Sequence, residues 1–97
     1  MSFRQQNAST NRAKSRGKLK TKNESKKLVG ENTDRVGIWV TNRGTKPVTL
    51  AFGETAAVFG EGLTLPKESQ PIFIVGFLGE IRAIAESEEP ELSYQEI

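Results

Sequence analysis

The strongest constraint on the fold is a period-two alternation of apolar and other residues that begins at Val36 and continues to the end of the chain. Glycine, proline and asparagine interrupt the alternation at short intervals. This period is typical of β-strands, because successive side chains in a strand point to opposite faces of the sheet. The pattern predicts strands over residues 36–41, 48–52, 63–65, 72–77, 80–85 and 92–97.

Short strands separated by turns at this spacing favour a closed or layered all-β fold. We therefore predict a compact small β-sandwich or barrel of about six short strands. A domain of about 60 residues buries only roughly 60% of its unfolded surface, which makes it marginally stable alone. We expect a homo-oligomer or a multi-copy assembly to stabilise it.

The large aromatic residues of this segment are predicted to form its core. The run Ile72–Phe77 is continuously apolar, which favours a central strand buried on both faces. An alternative is a platform on which nucleic-acid bases stack. Such a platform is interleaved with lysine and arginine, whereas the charges that neighbour these aromatic residues in sequence are mostly glutamate, so the core interpretation is favoured. The predicted large core residues are Trp39, Phe52, Phe73, Phe77 and Tyr94.

Charge is segregated along the chain. Residues 1–27 contain nine positive residues and one negative residue, whereas residues 28–97 contain five positive and eleven negative residues. This division predicts an extended basic N-terminal arm over residues 1–34, followed by the β-sandwich domain over residues 35–97. Fully extended, such an arm reaches on the order of 110 Å, which is enough to contact several neighbouring subunits.

Basic residues recur at every second position from Lys14 to Lys22, which places them on one side of an extended chain. A cationic strip of this kind suits a phosphate backbone or an acidic groove in another protein. The predicted partner-binding residues are Arg12, Lys14, Arg16, Lys18, Lys20, Lys22, Lys26 and Lys27.

The residue types on which most catalysis depends are missing. The chain has no histidine and no cysteine, which removes the usual zinc sites, thiol nucleophiles and imidazole bases. The glycine-rich stretch 53–62 is not followed by the Lys-Ser/Thr pair of a phosphate-binding loop. We therefore predict that the protein is not an enzyme and that it has no catalytic residue, metal or cofactor. No apolar run approaches the ~20 residues of a membrane span, so we expect no membrane partner.

Several turn and strand segments carry a resemblance to a known group of proteins. Residues 40–53 read VTNRGTKPVTLAFG, residues 60–65 read GEGLTL, and residues 79–85 read GEIRAIA. Together with Thr55-Ala56-Ala57, these segments resemble the small β-sandwich structural proteins of tailed-bacteriophage virions. The resemblance covers residues 36–97 and does not include the basic arm. It implies a structural role in the virion and provides no catalytic residues.

The leading functional prediction is a virion structural protein: a capsid cement or decoration protein, or a minor capsid component. Its basic arm would tether the β domain to the major capsid protein or to other virion proteins. Contact of the arm with nucleic acid is also compatible with its charge. The alternative is a nucleic-acid-binding protein of the ribosomal-protein type, whose basic extension threads through RNA.

Overall fold

The structure is a computed structural model that describes residues 14–97, so that Arg12 and the rest of residues 1–13 lie outside the description. It is an all-β sandwich of two four-stranded antiparallel sheets. The strands are β1 Arg16–Lys20, β2 Lys26–Val29, β3 Gly37–Asn42, β4 Val48–Phe52, β5 Leu63–Leu65, β6 Ile72–Val75, β7 Ile81–Ala85 and β8 Glu91–Glu96. Sheet A has the order β1-β8-β3-β6, and sheet B has the order β2-β7-β4-β5.

The predicted all-β class is confirmed, and the six strands expected from residue 36 onward correspond to β3–β8. The sheets nevertheless begin earlier than predicted, because β1 and β2 come from the segment assigned to the arm. β1 pairs with β8 at the other end of the chain, and β2 pairs with β7. The predicted boundary at residue 34 therefore does not coincide with the start of the sandwich in the structure.

The basic segment joins the sandwich because it has apolar residues at the positions that face inward. Leu19 alternates with the basic residues of β1 and packs against the core, while Leu28 and Val29 of β2 are buried in it. A strand needs only one apolar face to dock on a core, and its other face can carry charge. The high charge of this segment concealed that alternation.

The core is aliphatic, and the prediction that five aromatic residues build it is wrong. Trp39, Phe52 and Phe73 are 41–44% exposed, while Phe77 and Tyr94 are only partly buried against the edge of the core. The residues that fill the space between the sheets are Leu28, Val29, Ile38, Val40, Val48, Leu50, Leu65, Ile81, Ala83, Ala85 and Leu92. Small and branched side chains suffice to fill the space between two short sheets.

The prediction that Ile72–Phe77 forms a central strand is also wrong. Within the described residues β6 is an edge strand of sheet A, paired on one side only, with β3. Ile72 and Ile74 pack against the core, whereas Phe73 and Val75 are exposed. A continuous apolar run cannot by itself distinguish a strand buried on both faces from an apolar strand at an edge.

The turn between β3 and β4 is built around a fully buried asparagine. The side-chain Nδ2 of Asn42 donates to the carbonyl oxygens of Lys46, Leu65 and Pro66 at 2.8–3.3 Å, and its Oδ1 accepts from the backbone of Gly44 at 2.9 Å. Gly44 lies in this turn without a positive φ, and its role is steric. A Cβ at this position would collide with Pro90.

Candidate functional site

The outer face of sheet A presents a row of four residues from its four strands. The register places Arg16 opposite Gln95, Gln95 opposite Trp39, and Trp39 opposite Phe73. These positions alternate with inward-facing core residues such as Ile38 and Val40, so their side chains point away from the core. A cation, an amide and two aromatic rings therefore lie side by side across the sheet.

A second row lies beside the first. Lys18 is opposite Ser93, and Ser93 is opposite Thr41. Because serine and threonine are short, this part of the sheet forms a polar floor between the longer side chains of β1 and the Trp39 ring. The resulting open groove has a volume of about 530 Å³ and is lined by Arg16, Gly17, Lys18, Trp39, Thr41, Ser93, Tyr94 and Gln95.

The two aromatic rings form a pair on the surface. The ring centroids of Trp39 and Phe73 lie 4.8 Å apart with an interplanar angle of 39°. The Phe73 ring occupies the space in which a Cβ of residue 37 would lie, so Gly37 is required for this arrangement. Packing over Gly37 and against Trp39 holds the Phe73 ring in place although it is exposed.

Hydrogen bonds fix β1 beside β8 at both of its ends. Before the strand, Ser15 donates to Glu96 Oε1 from its backbone N–H at 2.8 Å and from its hydroxyl at 2.9 Å. After the strand, Thr21 donates to the carbonyl oxygen of Pro90 from its backbone at 3.0 Å and from its hydroxyl at 2.7 Å. The register of Arg16 and Lys18 against β8 is therefore determined from both sides.

Glu96 connects this anchor to a buried arginine. Arg35 Nε donates to Glu96 Oε2 at 2.8 Å, and both side chains are almost completely buried. The remaining guanidinium nitrogens donate to the carbonyl oxygens of Gly30, Phe77 and Gly79. Burial alone would raise the pKa of Glu96, but the hydrogen bonds from its neighbours, the Ser15 backbone first, outweigh burial and lower that pKa.

The eight predicted partner-binding residues do not form one strip in the structure. Arg12 lies outside the described residues, and Lys14 is an exposed residue that precedes β1. The outer face of β1 carries Arg16, Lys18 and Lys20, as their spacing of two predicts. The link between β1 and β2 contains Lys22, which pairs with Glu24 at 3.0 Å. Sheet B carries the last two, Lys26 and Lys27, on β2.

Sequence reasoning did not place Trp39 and Phe73 in this site. They were assigned to the core because their neighbours in sequence carry few positive charges. In the structure the positive charges beside them come from β1, which reaches Trp39 only through its pairing with β8. The signal that could have located them is the period-two basic pattern of residues 14–22, interpreted as an outer strand face.

Within residues 14–97, no cluster of metal-ligating side chains is suited to hold a metal ion. No helix in that range is long and apolar enough to cross a membrane. The sequence matches no protein-family model, and the curated proteins and the solved structures likewise yield no match. The resemblance to virion proteins therefore stays a prediction.

Proposed function

We propose that the protein is a non-enzymatic structural component of a virion, a capsid cement, decoration or minor capsid protein present in many copies. In this proposal the β6 edge of sheet A, which is unpaired within residues 14–97, docks on a neighbouring major capsid or other virion subunit. The observation that carries it is the exposed apolar edge strand β6, whose four residues Ile72–Val75 include no charge.

An uncharged edge strand is a liability in a protein that stands alone. Its unpaired backbone groups and apolar side chains invite pairing with other chains, and monomeric proteins protect such edges with charges, prolines or bulges. Here Val75 is 66% exposed and neighbouring Val36 is 61% exposed, and Phe73 and Ile97 extend the apolar surface. A neighbouring subunit that covers this edge permanently would pair its backbone groups and bury its apolar side chains.

The size of the domain and the sequence resemblance support the same function. A small sandwich with an aliphatic core gains stability when a partner covers part of its apolar surface. The residues that carry the resemblance include Gly44 and the buried Asn42, which build the β3–β4 turn. These two residues support an architecture shared with the virion proteins. They support the proposed function only through that architecture.

The experiment compares incorporation of two lysine variants into particles. We expect particles purified by density-gradient centrifugation from the source cultures to contain the wild-type chain in many copies, as counted by mass spectrometry. Val75→Lys places a charge on the β6 edge and should abolish incorporation without changing the melting temperature. Val58→Lys is the matched control, because Val58 is 50% exposed and lies outside sheet A.

The proposal fails if wild-type chain is found only in the soluble fraction, or if Val75→Lys enters particles as well as Val58→Lys does. The alternative, a nucleic-acid-binding protein of the ribosomal-protein type, draws support from a different surface, the aromatic and basic outer face of sheet A.

A further inference from the structure

We propose that the groove on the outer face of sheet A binds single-stranded nucleic acid, with phosphates at Arg16 and Lys18 and a base stacked on Trp39. This binding site goes beyond the structural role proposed above and does not depend on it. The structural role uses the edge of β6, whereas this site lies between β1 and β3.

The charge of the groove selects an anionic ligand. Arg16 and Lys18 are exposed, and neither forms an ion pair with another residue in the part of the chain that the structure describes. Lys20 continues the cationic row and lies opposite Glu91 at the end of the strand. The groove itself is lined by two cations and no acidic residue. Phosphate groups match this arrangement, since lysine and arginine are the usual phosphate contacts.

The aromatic side of the groove selects a ligand that has flat rings. Trp39 remains 44% exposed although it packs against Phe73. Stacking on exposed aromatic rings is the usual way in which proteins hold single strands without reading their sequence. An acidic polypeptide would satisfy Arg16 and Lys18 but would leave the tryptophan ring without a matching partner. Nucleic acid satisfies both sides of the groove.

The dimensions of the groove fit one nucleotide of a single strand. Neighbouring strands lie roughly 4.8 Å apart, so Arg16 and Trp39 are separated by roughly 10 Å across Gln95. The volume of about 530 Å³ falls within the range of small-ligand sites. The short side chains of Ser93 and Thr41 leave room above the floor and offer hydroxyl groups for hydrogen bonds. A base must be unstacked to lie on Trp39, which excludes an intact duplex.

The first test uses the intrinsic fluorescence of the full-length protein. Trp39 is the only tryptophan in the chain, so its emission reports on this groove alone. We expect an oligothymidylate of about 20 nucleotides to quench the emission saturably, because its bases stack on the ring. Heparin and polyglutamate, which carry charge without bases, should not quench it, and duplex DNA should bind more weakly. Equal quenching by polyglutamate would overturn the proposal in favour of an acidic protein partner.

The second test measures the affinity of variants for the labelled oligonucleotide by fluorescence anisotropy. Trp39→Ala should weaken binding by about tenfold, the usual effect of losing one stacked base. Phe52→Ala is the matched control, since Phe52 is equally exposed but lies on sheet B. If Trp39→Ala and Phe52→Ala bind like the wild type, the ring does not contact the strand and the proposal is wrong.

The third test isolates the phosphate contacts from the other basic residues of the chain. Arg16→Gln combined with Lys18→Gln should lower the magnitude of the log–log salt dependence of binding by about 1.4, because two single-strand phosphate contacts are lost. The control removes the same charge elsewhere, from the exposed Lys27 and Lys46. An equal change in both double variants would mean that binding follows net charge and would overturn the assignment to this groove.

Discussion

Two buried polar side chains, Asn42 and Glu96, join parts of the chain that are distant in sequence. Asn42 donates to the carbonyl oxygens of Leu65 and Pro66 at the end of β5, and Glu96 binds both Ser15 and Arg35. Such groups stabilise a fold only when all their hydrogen bonds are made, and they are costly when one partner is lost. In this small sandwich they fix the β3–β4 turn and the beginning of β1, which an aliphatic core alone would leave undetermined.

We expect Asn42→Ala to lower the free energy of unfolding by about 1–3 kcal/mol, because the carbonyl oxygens of Lys46, Leu65 and Pro66 lose the donor that the buried amide supplies. Urea unfolding followed by tryptophan fluorescence measures this change. Asn23→Ala is the matched control, because Asn23 is exposed. Equal stability of the two variants would show that the Asn42 amide does not hold the turn.

The lowered pKa of Glu96 makes the stability of the fold depend on pH. Its pKa in the folded protein is lowered from the ordinary value of 4.5, so the folded state favours the ionised carboxylate. The contribution to stability is complete above the unfolded value and is lost as the pH falls through the lower folded value. Wild-type protein should therefore lose stability as the pH falls below about 4.5.

Glu96→Gln should flatten this acid dependence and should also destabilise the fold near neutral pH by about 3–5 kcal/mol, because Arg35 is then buried without its counter-charge. Urea unfolding at a series of pH values measures both effects. If the stability of Glu96→Gln falls with pH as the stability of the wild type does, the pH dependence comes from other carboxylates.

At the scale of elements, the period-two pattern predicted β4 and β5 to the residue and predicted β3, β7 and β8 within one residue at each end. These strands are bounded by local turn signals that a sequence displays directly. The positions of the strands in the sheets are set by pairings such as β1 with β8, which join opposite ends of the chain and have no local signal. For this reason the edge position of β6, the exposure of Trp39 and the groove beside it were not foreseen.

The assignment of β1 and the start of β2 to the sandwich changes the expected effect of truncation. Deleting residues 1–27 removes β1, half of β2 and the packing of Leu19 on the core. We expect a loss of more than about 2 kcal/mol in unfolding free energy, from the partly buried Leu19 together with the lost strand pairing. Thermal unfolding of the full chain and of residues 28–97 tests this. An unchanged melting temperature would restore the simpler division into a detached arm and an independent body.

At the scale of the whole molecule, sheet A has two unlike edges. β6 is apolar and uncharged, whereas β1 carries a row of basic residues on its outer face. Trp39 on β3 lies between these edges, and its ring packs against Phe73 of β6. In our two proposals the apolar edge contacts a protein neighbour and the cationic, aromatic face contacts a nucleic acid. A component located between a protein shell and a genome needs both kinds of contact.

The central claim is that the β6 edge is covered by a neighbouring subunit in a particle. Electron cryo-microscopy of purified particles that contain the chain measures this directly. We expect the map to show density for this sandwich with Ile72–Val75 in contact with another subunit. A map in which the β6 edge faces solvent, while a different surface of the sandwich holds it to the particle, would contradict the account.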